Sequence, residues 1–126
     1  MANILKSLFG SKAERDVKEI TPFINKIKAE YNRIDPLGDD DLRAETDKLR
    51  DFLHSRTDSF ETEAASIREK LTDVEIAVRE KEKLATRLDE IEKQIDETIE
   101  KSLTEILPTA FAIMKSTARR FTENAT

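Results

Sequence analysis

The sequence predicts an all-α fold, an elongated helical assembly built around a long antiparallel hairpin, and three observations carry that reading. Apolar residues recur every three or four positions along most of the 126 residues. Residues 39–107 contain neither glycine nor proline. Charged residues make up 39% of the chain and aromatic residues 6%, a balance that suits helices with one buried face and is thin for a large globular core.

In "ANILKSLFGSK", residues 2–12, Ile4, Leu5, Leu8 and Phe9 fall on one side of a short helix, Lys6 lies off the stripe, and Gly10 stands where a helix C-terminus prefers glycine. Residues 1–9 therefore read as an amphipathic helix. It either docks on the protein's own body or touches a membrane surface or a partner, with Lys12 adding positive charge just beyond it.

Ser11 and Glu14 have the spacing of a capping box, and Val17, Ile20, Ile24, Ile27, Tyr31 and Ile34 then advance by helical steps. Pro22 removes a backbone donor inside this pattern, so a kink or a break near Thr21 is expected. "DPLG" at 35–38 ends it, because proline biases Asp35 away from helical geometry and Gly38 permits a turn.

Three aspartates at 39–41 open the next pattern, where a helix dipole favours negative charge. Its stripe runs through Leu42, Leu49, Leu53, Phe60, Ala64, Ile67 and Leu71 with Arg56 interrupting, and a second runs through Leu84, Leu88, Ile91, Ile95, Ile99, Leu103 and Ile106. Between them Val74, Ile76 and Val78 alternate with polar residues, a period of two that no helix places on one face, so 72–79 reads as a connection. Helices at about 39–71 and 79–107 can then fold back and cover each other. A continuous rod is the alternative and would need a second chain in a dimeric coiled coil. Asp89 with Lys93 and Glu97 with Lys101 have the favourable acid-before-base order for surface pairs.

A last helix is expected at 108–121. Leu103, Leu107, Ala110, Met114, Ala118 and Phe121 make one stripe, while Ile106, Phe111 and Ile113 lie on other sides. A helix apolar over so wide an arc wants partners on more than one side. Ile106, Phe111, Ile113, Met114 and Phe121 are therefore the residues expected to pack onto a missing domain, and the chain reads as part of a longer protein.

Composition and motifs exclude several functions. Cysteine is absent, which removes disulfide and thiolate-metal frameworks and suits a reducing, cytoplasmic location. No run of 18 apolar residues is present to span a bilayer. Residues 1–33 carry seven Lys/Arg against four Asp/Glu, residues 34–107 twelve against twenty-two, and residues 108–126 three against one. So acidic a centre argues against nucleic acid as a partner. His54 is the only histidine and has no Glu three residues before it, so no helical metal motif forms, and no phosphate-binding G-x-x-x-x-G-K-[ST] loop occurs. No residue is assigned a catalytic, cofactor-binding or metal-ligating role.

"FGSK" at 9–12, "DDDLRAETDKLR" at 39–50 and "LPTAFAIMKSTARR" at 107–120 together resemble the N-terminal region of the SecA family of bacterial preprotein translocase motors. The resemblance covers residues 1–53 and about 101–121. It implies structural roles for Leu42, Thr46, Leu49, Arg50, Pro108, Ala110, Phe111, Ala112 and Arg120, at positions leading into the first nucleotide-binding domain. Residues 54–100 look like a lineage insertion of the kind seen in some Bacteroidetes-like members, and an insertion must go out and come back, which favours the hairpin. Gly38 stands where the family usually has a Ser cap and Thr109 where it usually has Glu.

For the longer protein the resemblance implies ATP and Mg²⁺, and hydrolysis that drives preproteins through the SecYEG channel from the inner face of the cell membrane. The nucleotide-binding motifs would lie downstream of this stretch, which is read as a structural and interaction element. Ile4, Leu5, Lys6, Leu8, Phe9 and Lys12 become the expected contact group for acidic lipids, the channel or a second protomer. The rival reading is a free-standing helical coiled-coil adaptor or scaffold.

Overall fold

A computed structural model describes residues 10–124. They form three helices, here α1 (Lys12–Ile34), α2 (Asp39–Thr72) and α3 (Val78–Glu123), and no strand appears among the described residues. The chain divides into two compact units, one comprising residues up to Arg43 together with those from Pro108 onward, the other Ala44–Leu107.

The first unit is closed by the chain between α1 and α2. Asp35 caps α1, its N–H donating to the Tyr31 carbonyl at 2.8 Å, and the Leu37 N–H donates to the Ile34 carbonyl at 3.0 Å. Ile34, Leu42 and Ala112 form the buried cluster, with Tyr31, Leu37 and Ile113 packed against it. Ala112 is small enough for α3 to come close to the α1–α2 turn, and Ile34 is fully enclosed. Burying an isoleucine contributes about 1.5–3 kcal/mol, so this small cluster is a large share of what holds the unit.

Gly38 supplies the carbonyl that accepts the first helical bond of α2, from the Leu42 N–H at 2.9 Å. It therefore sits at the N-cap without a side chain to cap with, and a Cβ added there would meet nothing within 4 Å. Gly38→Ser is expected to stabilise the chain by about 0.5–1 kcal/mol, through the cap and through a less flexible unfolded chain. A rise in Tm by circular dichroism checks this.

The second unit is the hairpin. α2 ends at Thr72, five residues turn the chain, and α3 begins at Val78. Asp73 organises the turn by accepting the Glu75 N–H at 2.9 Å, and the Ala77 carbonyl takes the first bonds of α3 from Glu80 and Lys81. This matches the connection expected at 72–79. Toward the turn the helices bury Ala64, Ile67 and Ile91, with Phe60, Leu71, Leu84, Leu88 and Ile95 around them. Ion pairs join the helices across their edges: Arg87 to Glu63 at 2.8 Å, Arg68 to Glu92 at 2.9 Å and Arg56 to Glu105 at 3.3 Å. All are solvent-accessible, so each adds about 0–1 kcal/mol and chiefly favours this pairing over others. The expected pairs of Asp89 with Lys93 and Glu97 with Lys101 do not close.

Three expectations need correction. Of the kink or break expected near Thr21, the break does not occur, and residues 108–121 are not a separate helix, because α1 and α3 run continuously through Pro22 and Pro108. Proline's fixed φ suits a helix, and the carbonyls deprived of a donor belong to Lys18 and Thr104, both exposed, where water can take the missing place. The α3 stripe also turns at the hairpin base: beyond Ile95 the inward positions are Thr98, buried Ser102 and Ile106, while Ile99 and Leu103 are exposed.

Candidate functional site

Of the expected contact group, Ile4, Leu5, Lys6, Leu8 and Phe9 lie outside the described residues. Lys12 is the first residue of α1 and is exposed. Immediately before it the capping box is complete, the Glu14 N–H donating to Ser11 Oγ at 3.2 Å and the Ser11 N–H to Glu14 Oε2 at 3.1 Å. Gly10 has φ +66°, a left-handed conformation that favours glycine. Past the cap, Val17, Ile20, Phe23 and Ile24 are exposed, whereas Ile27 and Tyr31 are half-buried.

The group expected to pack outward divides. Ile113 is half-buried against Ile34, Leu42 and Ala112 within the chain, and Ile106 is half-buried on the hairpin. Phe111, Met114 and Phe121 keep 47%, 66% and 74% of their surface exposed. The cause is the opposite face of the helix, where Pro108, Ala112 and Ser116 are buried. Small residues turn toward the chain and large apolar ones away from it.

The inner face carries a polar joint built from residues 79 to 85 positions apart in sequence. Asp35 Oδ1 accepts the Ser116 hydroxyl at 2.9 Å and the Arg119 Nε–H at 2.9 Å. Arg119 also pairs with Glu123 at 2.5 Å. Arg120 reaches the Asp39 carboxylate at 2.5 Å and donates to the Asp35 and Leu37 carbonyls, so one guanidinium ties down the whole turn between α1 and α2. Thr109 donates to Glu30 Oε2 at 3.1 Å. A Glu at position 109 would oppose Glu30, whereas threonine donates to it.

Partial desolvation pushes the Asp35 carboxyl up, but hydrogen bonds from Ser116, Arg119 and Tyr31 and the Arg119 charge outweigh it and hold the group below its ordinary value of 3.8. Arg119 is raised in turn by its bonds to Glu123 and Asp35. A depressed carboxylate stabilises the fold fully above its unfolded pKa, and that contribution is lost as pH falls through the lower folded value. Acid unfolding should therefore steepen below about pH 4. Asp35→Asn should flatten that limb in a titration followed by circular dichroism, while weakening the fold at neutral pH.

The sequence marked Arg120 only through the resemblance, and gave no sign of its partners. In the sequence Asp35 shows only the features of a turn residue. His54 is exposed, and no group of three or more His, Cys, Asp or Glu able to hold a metal ion is present among the described residues. No helix among them is long and apolar enough to cross a membrane.

Residues 5–126 match the family described as the SecA DEAD-like domain. The chain is 41% identical over 120 residues to the protein translocase subunit SecA of Bacteroides fragilis, covering 95% of this chain and 11% of that protein. It is 44% identical over 123 residues to that of Porphyromonas gingivalis, covering 97% and 11%, and 34% identical over 125 residues to that of Cytophaga hutchinsonii, covering 98% and 11%. These matches run through residues 54–100, and the chain spans about a tenth of the length of these relatives. No solved structure matches it. The blocks at 9–12, 39–50 and 107–120 thus sit within a match covering almost all of the sequence, and the chain belongs to the SecA family.

Proposed function

We propose that this chain is the N-terminal helical segment of a SecA motor subunit that couples ATP hydrolysis to export of preproteins through the SecYEG channel. The segment serves assembly and contact; ATP, Mg²⁺ and the groups that act on them belong to the longer protein. The observation that carries this reading is the match of residues 5–126 to the SecA DEAD-like domain by a chain with only a tenth of its relatives' length. Exposed Phe111, Met114 and Phe121 give that length a physical counterpart. Leaving such side chains in water forgoes several kcal/mol of burial at about 25 cal/mol per Å², which a larger neighbour would recover.

In this reading Phe111, Met114 and Phe121, with the partly covered Ile106 and Ile113, form the joint to the motor. Ile4, Leu5, Lys6, Leu8, Phe9 and Lys12 meet acidic lipid or the channel, at the cytoplasmic face of the cell membrane. Residues 54–100 are a lineage-specific elaboration outside the chemistry.

The double substitution Phe111→Asp and Met114→Asp tests the joint. Both side chains point away from the 126-residue chain, so its helical content should hold. In the full-length protein the same pair should abolish ATP-driven preprotein export, and unchanged export would refute the reading. Leu8→Glu with Phe9→Glu should weaken binding to anionic liposomes and to the channel.

A further inference from the structure

The hairpin base has an outward apolar stripe that the hairpin does not use. Ile99, Leu103 and Leu107 recur at intervals of four, which on a helix is one face, and all three are exposed, Leu103 to 47%. What α3 turns inward over the same stretch is Thr98, Ser102 and Ile106, and across from it α2 buries Thr57. Ser102 and Thr57 are enclosed and Thr98 and Ile106 half-covered, while the larger apolar Ile99, Leu103 and Leu107 are exposed, the reverse of what a hairpin stable on its own account would select at these positions. Were coverage by α2 the only demand on this helix, the isoleucine and leucines would turn in and the serine out. The stripe is also confined. One to two turns nearer the tip the same side of α3 becomes acidic at Glu92 and Asp96, both exposed. At its other end α3 continues without a break past Pro108 into the stretch that carries Phe111 and Met114.

We infer that Ile99, Leu103 and Leu107 pack against the remainder of the same polypeptide in the full-length protein, so that the base of the inserted hairpin is a second joint to the motor and only its outer part stands free. This rests on the reading that Phe111 and Met114 form the first joint. Two features of the chain select this occupant. The stripe lies on the helix that leads into that joint, and about nine-tenths of the relatives' length lies outside this chain. A second copy is the poorer fit. Parallel pairing along the stripe would set the flanking Asp96 and Glu100 against their own counterparts, a repulsion between like charges.

A photo-crosslinking residue (p-benzoylphenylalanine) placed at position 103 of the full-length protein tests the inference, with the same probe at 111 and at 93 for comparison. Because Leu103, Phe111 and Lys93 are all exposed, none of the probes disturbs a core. The expected result is a link within one polypeptide from 103 to a peptide beyond residue 126, formed several-fold more efficiently than from 93. A link between two polypeptides from 103 would overturn the inference in favour of self-association. Linking from 111 but not from 103 would overturn it while leaving the first joint standing, and linking from neither would remove both. Leu103→Glu supplies an independent readout. It should expose the bond after Lys101 to trypsin several-fold in the full-length protein and leave its cleavage in the 126-residue chain unchanged; equal behaviour in the two would contradict the inference.

Discussion

Ile91→Ala should lower the stability of the hairpin by about 2–5 kcal/mol, the range for cutting a fully buried aliphatic side chain back to its Cβ. Ile91 is completely enclosed, with Ala64 and Ile67 of α2 facing it and Leu88 and Ile95 alongside. The site cannot easily collapse around the gap, because Ala64 is already small and the helices are held by side chains on both flanks. Ile91→Val removes one methylene and should cost about 0.5–1.5 kcal/mol. Denaturant unfolding followed by helical circular dichroism measures both. A loss for Ile91→Ala no larger than for Ile91→Val would mean that α2 and α3 are not packed through this residue. Arg87→Ala, which removes the accessible pair with Glu63, provides the contrast at about 0–1 kcal/mol.

Ile34→Ala should be as costly to the other unit, again about 2–5 kcal/mol. Its cluster has only three buried members, Ile34, Leu42 and Ala112, and the isoleucine is the larger of the two that are fully enclosed. The loss would propagate to the polar joint, since Asp35 directly follows Ile34 and is held by Ser116 and Arg119. The chain's single tyrosine is a convenient probe. Tyr31 packs against this cluster, with the Lys115 ammonium 4.4 Å from its ring centroid. Tyrosine fluorescence should report a lower unfolding midpoint in Ile34→Ala, and an unshifted midpoint would contradict the packing described.

Most of the helical content was legible because its signals are local. The Ser11–Glu14 box needs four residues, and the shift of Val74, Ile76 and Val78 to a period of two is visible in five. Two kinds of feature were not legible. Pro22 reads as a kink or a break since the rule for proline is local, whereas its cost depends on whether the freed carbonyl can reach water, and Lys18 is exposed. The inward face of α3 at 99–106 was misread because periodicity finds an apolar stripe without saying which neighbour covers it. Ile99 and Leu103 continue the pattern of Ile91 and Ile95 in sequence, yet Thr98 and Ser102 take the inward positions. The joint of Asp35 with Ser116 and Arg119 was hidden for a different reason. Its members are more than 80 residues apart, and a single Asp beside a proline carries no sign of a distant arginine.

The outward-facing apolar side of α3 is the feature on which the proposed joint to the motor turns, and Met114 lets it be measured chemically. Its thioether is 66% exposed in this chain, and oxidation of methionine to the sulfoxide follows access to the sulfur. The measurement is the rate at which dilute peroxide oxidises Met114, read by mass spectrometry of its tryptic peptide, in the 126-residue chain and in the full-length protein. The account predicts rapid oxidation in the former and oxidation slowed many-fold in the latter, where the motor covers the sulfur. Equal rates in the two would mean that this face meets water in both, and the joint would not exist.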